Sequence, residues 1–240
     1  MIYFISDLHL GARYIADPRR HEQRVVEFLH SIASDATELY LVGDVLDYWY
    51  EYRTVVPRGY VRFFGALASL ADAGVKITWL TGNHDIWLFD YLRTEIGLEV
   101  IDAPWVERSF AGKRFIISHG DRIGRRSAGF RFICSLFRCR LCQWLYSAIH
   151  PRWTVPFAHN WSRSSRKSRY GIKDVEAYSR QVEQDVSTLP MADFIVLGHH
   201  HIVVDRPIAN GRLIVLGDWI SQFYYGCFDG TNFTIKTFQQ

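Results

Sequence analysis

Five short apolar, β-rich runs each end on residues that ligate metals, and this repetition limits the fold more than any other feature of the chain. IYFIS (2–6) runs into Asp7-x-His9, LYLVG (39–43) into Asp44, and VKITWL (75–80) into Gly82-Asn83-His84-Asp85. RFIIS (114–118) is followed by His119-Gly120-Asp121, and DFIVLG (193–198) by His199-His200-His201. Runs this apolar read as strands covered on both faces. Between them, Val25, Phe28, Leu29 and Ile32 share a helical face, as do Phe63, Phe64, Leu67, Leu70 and Ala71, with Gly74 placed to end the second helix. Asn210-Gly211 and Asp229-Gly230 stand where hairpins turn. Strands alternating with helices, and a hairpin-rich C-terminus, predict a layered α/β domain whose sheets are covered by helices.

In open α/β sheets, ligands bind at the carboxyl ends of the strands. All five runs therefore deliver Asp, Asn or His to one edge. Residues two apart in extended chain point the same way, so Asp7 pairs with His9 and His199 with His201, while His200 points elsewhere. The glycines 43, 82, 120 and 198 let the backbone turn sharply there. A nitrogen and oxygen donor set without thiolate suits Mn, Fe or Zn. A carboxylate can bridge two ions, and ions about 3.5–4 Å apart clamp both oxygens of an in-line displacement and lower the pKa of a water between them.

Composition adds bounds. A chain of 240 residues, 48% hydrophobic and 22% charged, suits one domain spanning 1–240. At that size a core forms without disulfides or structural metal, so metals here point to chemistry. Four cysteines are too few for a secreted disulfide scaffold. The start MIYFISDLHLG lacks a signal peptide's basic region, and no run of 18 uncharged apolar residues occurs. A reducing cytoplasm is the expectation.

The net charge of +3 conceals an asymmetry: residues 122–173 hold twelve Lys/Arg and no Asp/Glu, leaving 28 − 12 = 16 basic residues against 25 acids elsewhere. Nine aromatics share that segment, which marks a helical insertion with its own partner. Within it Phe130, Ile133, Cys134, Phe137, Leu141, Trp144, Leu145 and Ala148 recur at helical spacing, and Arg131 and Arg138 lie on another face. This predicts a cationic amphipathic helix over 128–149, suited to an anionic membrane surface or an acyl chain. The alternative is a stripe that packs on the core with its arginines solvated. SRSSRKSR (162–169) offers cations to a diphosphate. Cys134, Cys139 and Cys142 read as small hydrophobes rather than cluster ligands.

The series DLH, GDVLD, GNHD, HGD and GHHH, spread over residues 7–201, resembles the signature of the calcineurin-like metallophosphoesterases. That resemblance implies an αββα sandwich and a two-metal phosphoester hydrolase. It implies that Asp7, His9, Asp44 and His201 hold one ion, and that Asp44, Asn83, His119 and His199 hold the second. It also implies that His84 protonates the leaving group or stabilises transition-state charge, with Asp47 orienting it. Asp85 and Asp121 are expected to be turn or supporting acids.

HGD, a helical insertion, a Ser/Arg/Lys run and I-x-D-V (172–175) are similar to one branch of that family, the UDP-2,3-diacylglucosamine diphosphatases of lipid A synthesis. That similarity implies cleavage of a UDP-linked diacylated sugar to diacylglucosamine 1-phosphate and UMP, on the cytoplasmic face of a bacterial inner membrane. It implies that the insertion is a lid over the acyl chains, with Phe130, Phe137 and Leu141 toward them. Asn83, Ser164, Arg166, Lys167 and Arg169 would meet the head group. The best-known members carry Arg where His84 stands and Asp where Ser127 stands. Two other readings stay open. One is an enzyme of the same fold acting on nucleotides or nucleic acid, where arginines and aromatics serve phosphates and bases. The interleaved Ile and Leu favour lipid, and no nucleic-acid partner is expected. The other is a non-catalytic scaffold, against which the filled ligand positions argue.

Overall fold

A computed structural model of the chain describes residues 1–124, 127–155 and 175–239. Strand alternation explains the architecture. In β1 (Ile2–Ile5), β2 (Glu38–Val42) and β3 (Lys76–Leu80), Ile5, Leu39, Leu41, Ile77 and Trp79 face one way. There they meet Val25, Phe28, Leu29 and Ile32 of α1 (Pro18–Ile32) and Phe63, Leu67 and Leu70 of α2 (Val61–Asp72). Phe4, Tyr40, Val42 and Leu80 face the other way, onto Phe115, Ile117, Phe194, Val196, Ile214 and Leu216 of a second sheet. The outer face of that sheet, including Ile116, Ile195, Leu197, Leu213 and Val215, is covered by Val182 and Val186. The result is helix, sheet, sheet, helix, the αββα sandwich the sequence predicts.

The first sheet is completed by β4 (Glu99–Ile101) after α3 (Tyr91–Ile96), and by the hairpin of β10 (Tyr224–Phe228) and β11 (Phe233–Thr237). Its order is β11-β10-β1-β2-β3-β4, with β1 to β4 parallel. The second runs β5 (Val106–Phe110), β6 (Lys113–Ser118), β7 (Phe194–Leu197), β9 (Gly211–Leu216), β8 (Val203–Ile208), with β6, β7 and β9 parallel. Parallel strands in both sheets aim their carboxyl ends at one edge. Local signals agree. Asp17 caps α1 by accepting from the Arg20 amide at 2.9 Å, Pro18 opens the helix, and Gly74 (φ +90°) follows α2. Both proposed hairpin turns fall between antiparallel partners.

The insertion departs from expectation. The single helix predicted over 128–149 is two, α4 (Ala128–Arg138) and α5 (Arg140–Ser147), broken where Cys139 takes an extended conformation (φ −69°, ψ 117°). Neither helix contains a buried residue, so the stripe is not core. Leu141, Trp144, Phe132 and Leu136 are 63%, 66%, 68% and 42% exposed. The pair is moored instead by its inner aromatics. The Trp87 indole donates to the Phe137 carbonyl at 2.8 Å, and its ring meets Phe137 and Tyr146. The Tyr50 hydroxyl donates to the Gln143 carbonyl, and the Tyr48 and Tyr146 hydroxyls share a hydrogen bond. Val182 and Val186, which cover the second sheet, belong to α6 (Val175–Val186).

If Trp87 is the mooring, Trp87→Ala should free α4 and α5 while leaving the two sheets intact. Loss of a large packed aromatic is expected to cost about 3 kcal/mol, expressed locally. Hydrogen exchange should accelerate in residues 128–147 and remain unchanged in β1, β2 and β7. Uniform acceleration would show that Trp87 supports the core instead.

Candidate metal centre

The ends of five strands converge, and the backbone there is unusual. Asp7 (φ 55°), His9 (46°), Asp44 (51°), His199 (70°) and His201 (54°) all adopt the left-handed region. Non-glycine residues enter it at a cost of about 1–2 kcal/mol each. Main-chain hydrogen bonds hold them there: the amides of Asp7 and His9 donate to the carbonyls of Gly43 and Asp44 at 3.1 and 3.0 Å. A left-handed residue reverses the chain without leaving the strand end, which is how two side chains per loop reach one cavity.

Side chains crowd one another as a result. Asp44 Oδ2 lies 3.3 Å from His119 Nε2 and 3.9 Å from both His9 Nε2 and His84 Nε2. Asp7 Oδ1 is 3.3 Å from His201 Nε2 and 3.7 Å from His9 Nε2, and His199 Nδ1 is 3.1 Å from His119 Nε2. Asp7, His9, Asp44, His119 and His199 are buried. A side chain at Gly82 would place its Cβ 2.2 Å from Asp44 Oδ1, so only glycine admits this approach.

The donor set fits divalent ions. Metal–ligand bonds of about 2.0–2.2 Å put adjacent ligand atoms about 3.0–3.5 Å apart, the spacing of the closest pairs here. The buried oxygens Asp7 Oδ1 and Asn83 Oδ1 accept no hydrogen bond. The outward nitrogens have partners: His119 Nδ1 meets the Val42 carbonyl at 2.9 Å, His201 Nδ1 faces Asp218 Oδ2 at 3.6 Å, and His9 Nδ1 faces Asp47 Oδ1 at 3.6 Å. Such partners fix each ring with its other nitrogen turned inward. Charge agrees too. Burial opposes ionisation of Asp7, yet His201 and His9 hold its carboxyl down at about 2. Burial likewise opposes charge on His119, yet Asp44 beside it pulls the imidazole up to about 10. The centre attracts positive charge.

The calcineurin-like phosphoesterase family profile matches residues 1–203. The chain belongs to that family. Among curated proteins, a UDP-2,3-diacylglucosamine hydrolase of Porphyromonas gingivalis is 40% identical over 99% of this chain and 97% of its own length. Namesakes from Ralstonia nicotianae and Nitrosococcus oceani are 27% and 26% identical, over 91% and 90% of this chain and 83% and 86% of theirs. The chain is thus a hydrolase of the metallophosphoesterase class, with clustered His and Asp groups suited to divalent metal.

Of the residues singled out from sequence, Asp7, His9, Asp44, His84, His119, His199 and His201 lie within three overlapping clusters. Asn83, the residue before His84, has a buried carboxamide oxygen that accepts no hydrogen bond. Asp47 stands between His9 and His84, its Oδ1 3.6 and 3.7 Å from their Nδ1 atoms, while its backbone carbonyl meets His84 Nδ1 at 3.1 Å. His200 turns away to the Tyr178 hydroxyl at 2.9 Å. Asp85 supports the turn, accepting from the Val45 and Gly82 amides and the Trp79 indole. Phe137 faces Trp87, Phe130 is 38% exposed and Leu141 lies outermost. Ser164, Arg166, Lys167 and Arg169 lie outside the described residues.

One residue escaped the sequence reading. Asp218 follows β9 as Asp44 follows β2, and VLGD (215–218) matches LVGD (41–44) with its first two residues exchanged. Its Oδ1 accepts from the Ile220 and Ser221 amides at 2.8 and 2.7 Å, leaving Oδ2 for His201. Burial opposes its ionisation, but His201 and these amides hold it below the usual carboxylate range.

Two outcomes follow for metal content. Asp44→Ala should release at least one ion per chain and nearly all activity, with the fold retained by circular dichroism. Asp218→Asn should weaken metal binding about 10–100-fold by loosening His201. Wild-type metal content and turnover in Asp44→Ala would remove Asp44 from the centre.

Proposed function

We propose that the chain hydrolyses UDP-2,3-diacylglucosamine to 2,3-diacylglucosamine 1-phosphate and UMP. The observation that carries this reading is the exposed apolar face of α4 and α5, a helical pair moored to the segment that carries His84. Trp87, which touches Phe137 and Tyr146, is three residues from His84. A surface bearing Phe132, Leu136, Leu141 and Trp144 suits acyl chains and is out of place around a soluble nucleotide. The end-to-end likeness to the Porphyromonas gingivalis hydrolase supports it. Residues 122–173 act as a lid within a single domain, and Ser164, Arg166, Lys167 and Arg169 meet the head group. The cationic insertion holds the protein peripherally on the anionic inner membrane of a bacterium, and nucleic acid is not a partner.

Asp7, His9, Asp44 and His201 would hold one ion, and Asp44, Asn83, His119 and His199 the other, with manganese preferred and iron or zinc as alternatives. Bound there, the ions supply Lewis acidity and a nucleophile at neutral pH. The protein does the rest. Asp44, shared by both sets, would set their spacing, and its Oδ1 is steadied by the His84 amide at 2.9 Å. Ser6 Oγ and the His199 amide donate to Asp7 Oδ2 at 2.6 and 2.8 Å, leaving Oδ1 turned inward. His84 Nδ1 donates to the Asp47 carbonyl, so a proton at Nε2 requires the imidazolium, whose charge faces Asp47 Oδ1. In that form Nε2 can meet charge developing on the leaving oxygen.

His84→Ala should lower kcat about 10²–10⁴-fold with metal content intact. An equal loss on good and poor leaving groups would remove proton delivery and leave charge stabilisation as its role.

The substrate is tested by turnover of UDP-2,3-diacylglucosamine against a cyclic nucleotide and a phosphoprotein. Each buried methylene contributes about 0.8 kcal/mol, so shortened acyl chains should raise KM steeply. Leu141→Asp with Trp144→Asp, both outward, should abolish turnover of the diacylated substrate and preserve hydrolysis of nitrophenyl phosphate. Turnover indifferent to acyl length would overturn the lipid reading.

A further inference from the structure

Beside the metal centre lies a cluster with more buried donors than acceptors. Asp102, just after β4, accepts from the Thr81 hydroxyl at 3.0 Å through Oδ1 and from Arg138 Nε through both oxygens at 3.1 Å. Arg122 Nη2 closes on the same Oδ1 at 2.8 Å. A carboxylate offers about four acceptor directions, and three donors share this one, crowded mostly onto Oδ1. Arg122 Nε and Arg138 Nη2 are nevertheless shielded from solvent and lack a hydrogen bond. Each such donor carries a desolvation penalty that a further acceptor would relieve. Two guanidinium groups also face each other here. Burial disfavours charge on Arg122 first, Arg138 adds to that, and Asp102 and Asp121 only partly offset it.

Position says what the further acceptor is. Thr81 is two residues from Asn83, and Arg122 is three from His119, so both arms of the cluster spring from metal-centre loops, within about 11 Å along the chain. The Arg122 and Arg138 side chains remain 17% and 19% exposed, which leaves a way in. Paired guanidinium forks match the tetrahedral oxygens of a phosphate, which accepts several N–H groups at once.

We propose that Arg122 and Arg138, braced by Asp102, form a subsite for the second phosphate of a diphosphate substrate, the one not under attack. It rests on the diphosphate reading above and adds residues to it. Arg122 is the cleaner probe, because Arg138 also ties α4 to the body.

The test uses the metal-loaded full chain and the variants Arg122→Gln and Arg122→Lys. Binding of a methylene-bridged, non-hydrolysable UDP-sugar analogue is compared with binding of UMP, which has a single phosphate. In the wild type the analogue should bind at least tenfold more tightly than UMP. Arg122→Gln should erase that margin with UMP affinity unchanged, and Arg122→Lys, which keeps charge but loses the fork, should fall between. Turnover should follow, with KM for UDP-2,3-diacylglucosamine raised at least tenfold and nitrophenyl phosphate hydrolysis unaltered. Equal losses on both ligands, or no loss on either, would overturn the subsite. If Arg122→Gln does not fold, an Arg122→Lys protein with the full wild-type margin overturns it equally. Should the enzyme ignore diacylated substrate yet show the Arg122-dependent margin on the analogue, the lipid reading falls and the subsite stands.

Discussion

Two buried carboxylates facing a ring of imidazoles hold the active edge of this protein together. Asp7 and Asp44 are each almost fully buried, and between them they touch His9, His84, His119 and His201. Buried acids of like charge would normally neutralise or be expelled. Here they stay ionised because imidazoles and amides share the burden. The fold's main task is therefore to bring repelling groups together and hold them. It does so with left-handed residues at the strand ends and with cross-loop amide hydrogen bonds.

That constraint explains features otherwise unconnected. Gly43 and Gly82 stand where a side chain would strike His119 and Asp44. Asp85 and Asp218 receive several amides each and so act as rigid posts for the loops beside the ligands. The aromatic bed of Tyr48, Tyr50 and Trp87 extends from the same loops, so the insertion is aligned to the centre by the segment that carries His84.

The sequence revealed this edge because a buried parallel strand is a plain apolar run, and Asp, Asn or His directly after it has few bland explanations. VLGD at 215–218 carries the same signal more faintly, because it adds no histidine and falls in a hairpin-rich stretch. The break at Cys139 was illegible for a physical reason: apolar spacing continues across it, and periodicity does not register one extended residue. Nor does spacing tell a stripe that meets the core from one left in solvent. Short edge strands such as β4, three residues long, also leave little pattern. The left-handed backbone of Asp7, His9 and Asp44 had no sequence mark at all, since glycine usually announces that conformation.

The central claim is that Asp44 holds two ions close enough to act together. Electron paramagnetic resonance of the protein titrated with Mn²⁺ tests it most directly. At two equivalents per chain, ions about 3.5–4 Å apart should give a broad, exchange-coupled spectrum. Two equivalents bound with the six-line signal of isolated Mn²⁺, or saturation at one ion, would contradict a shared centre.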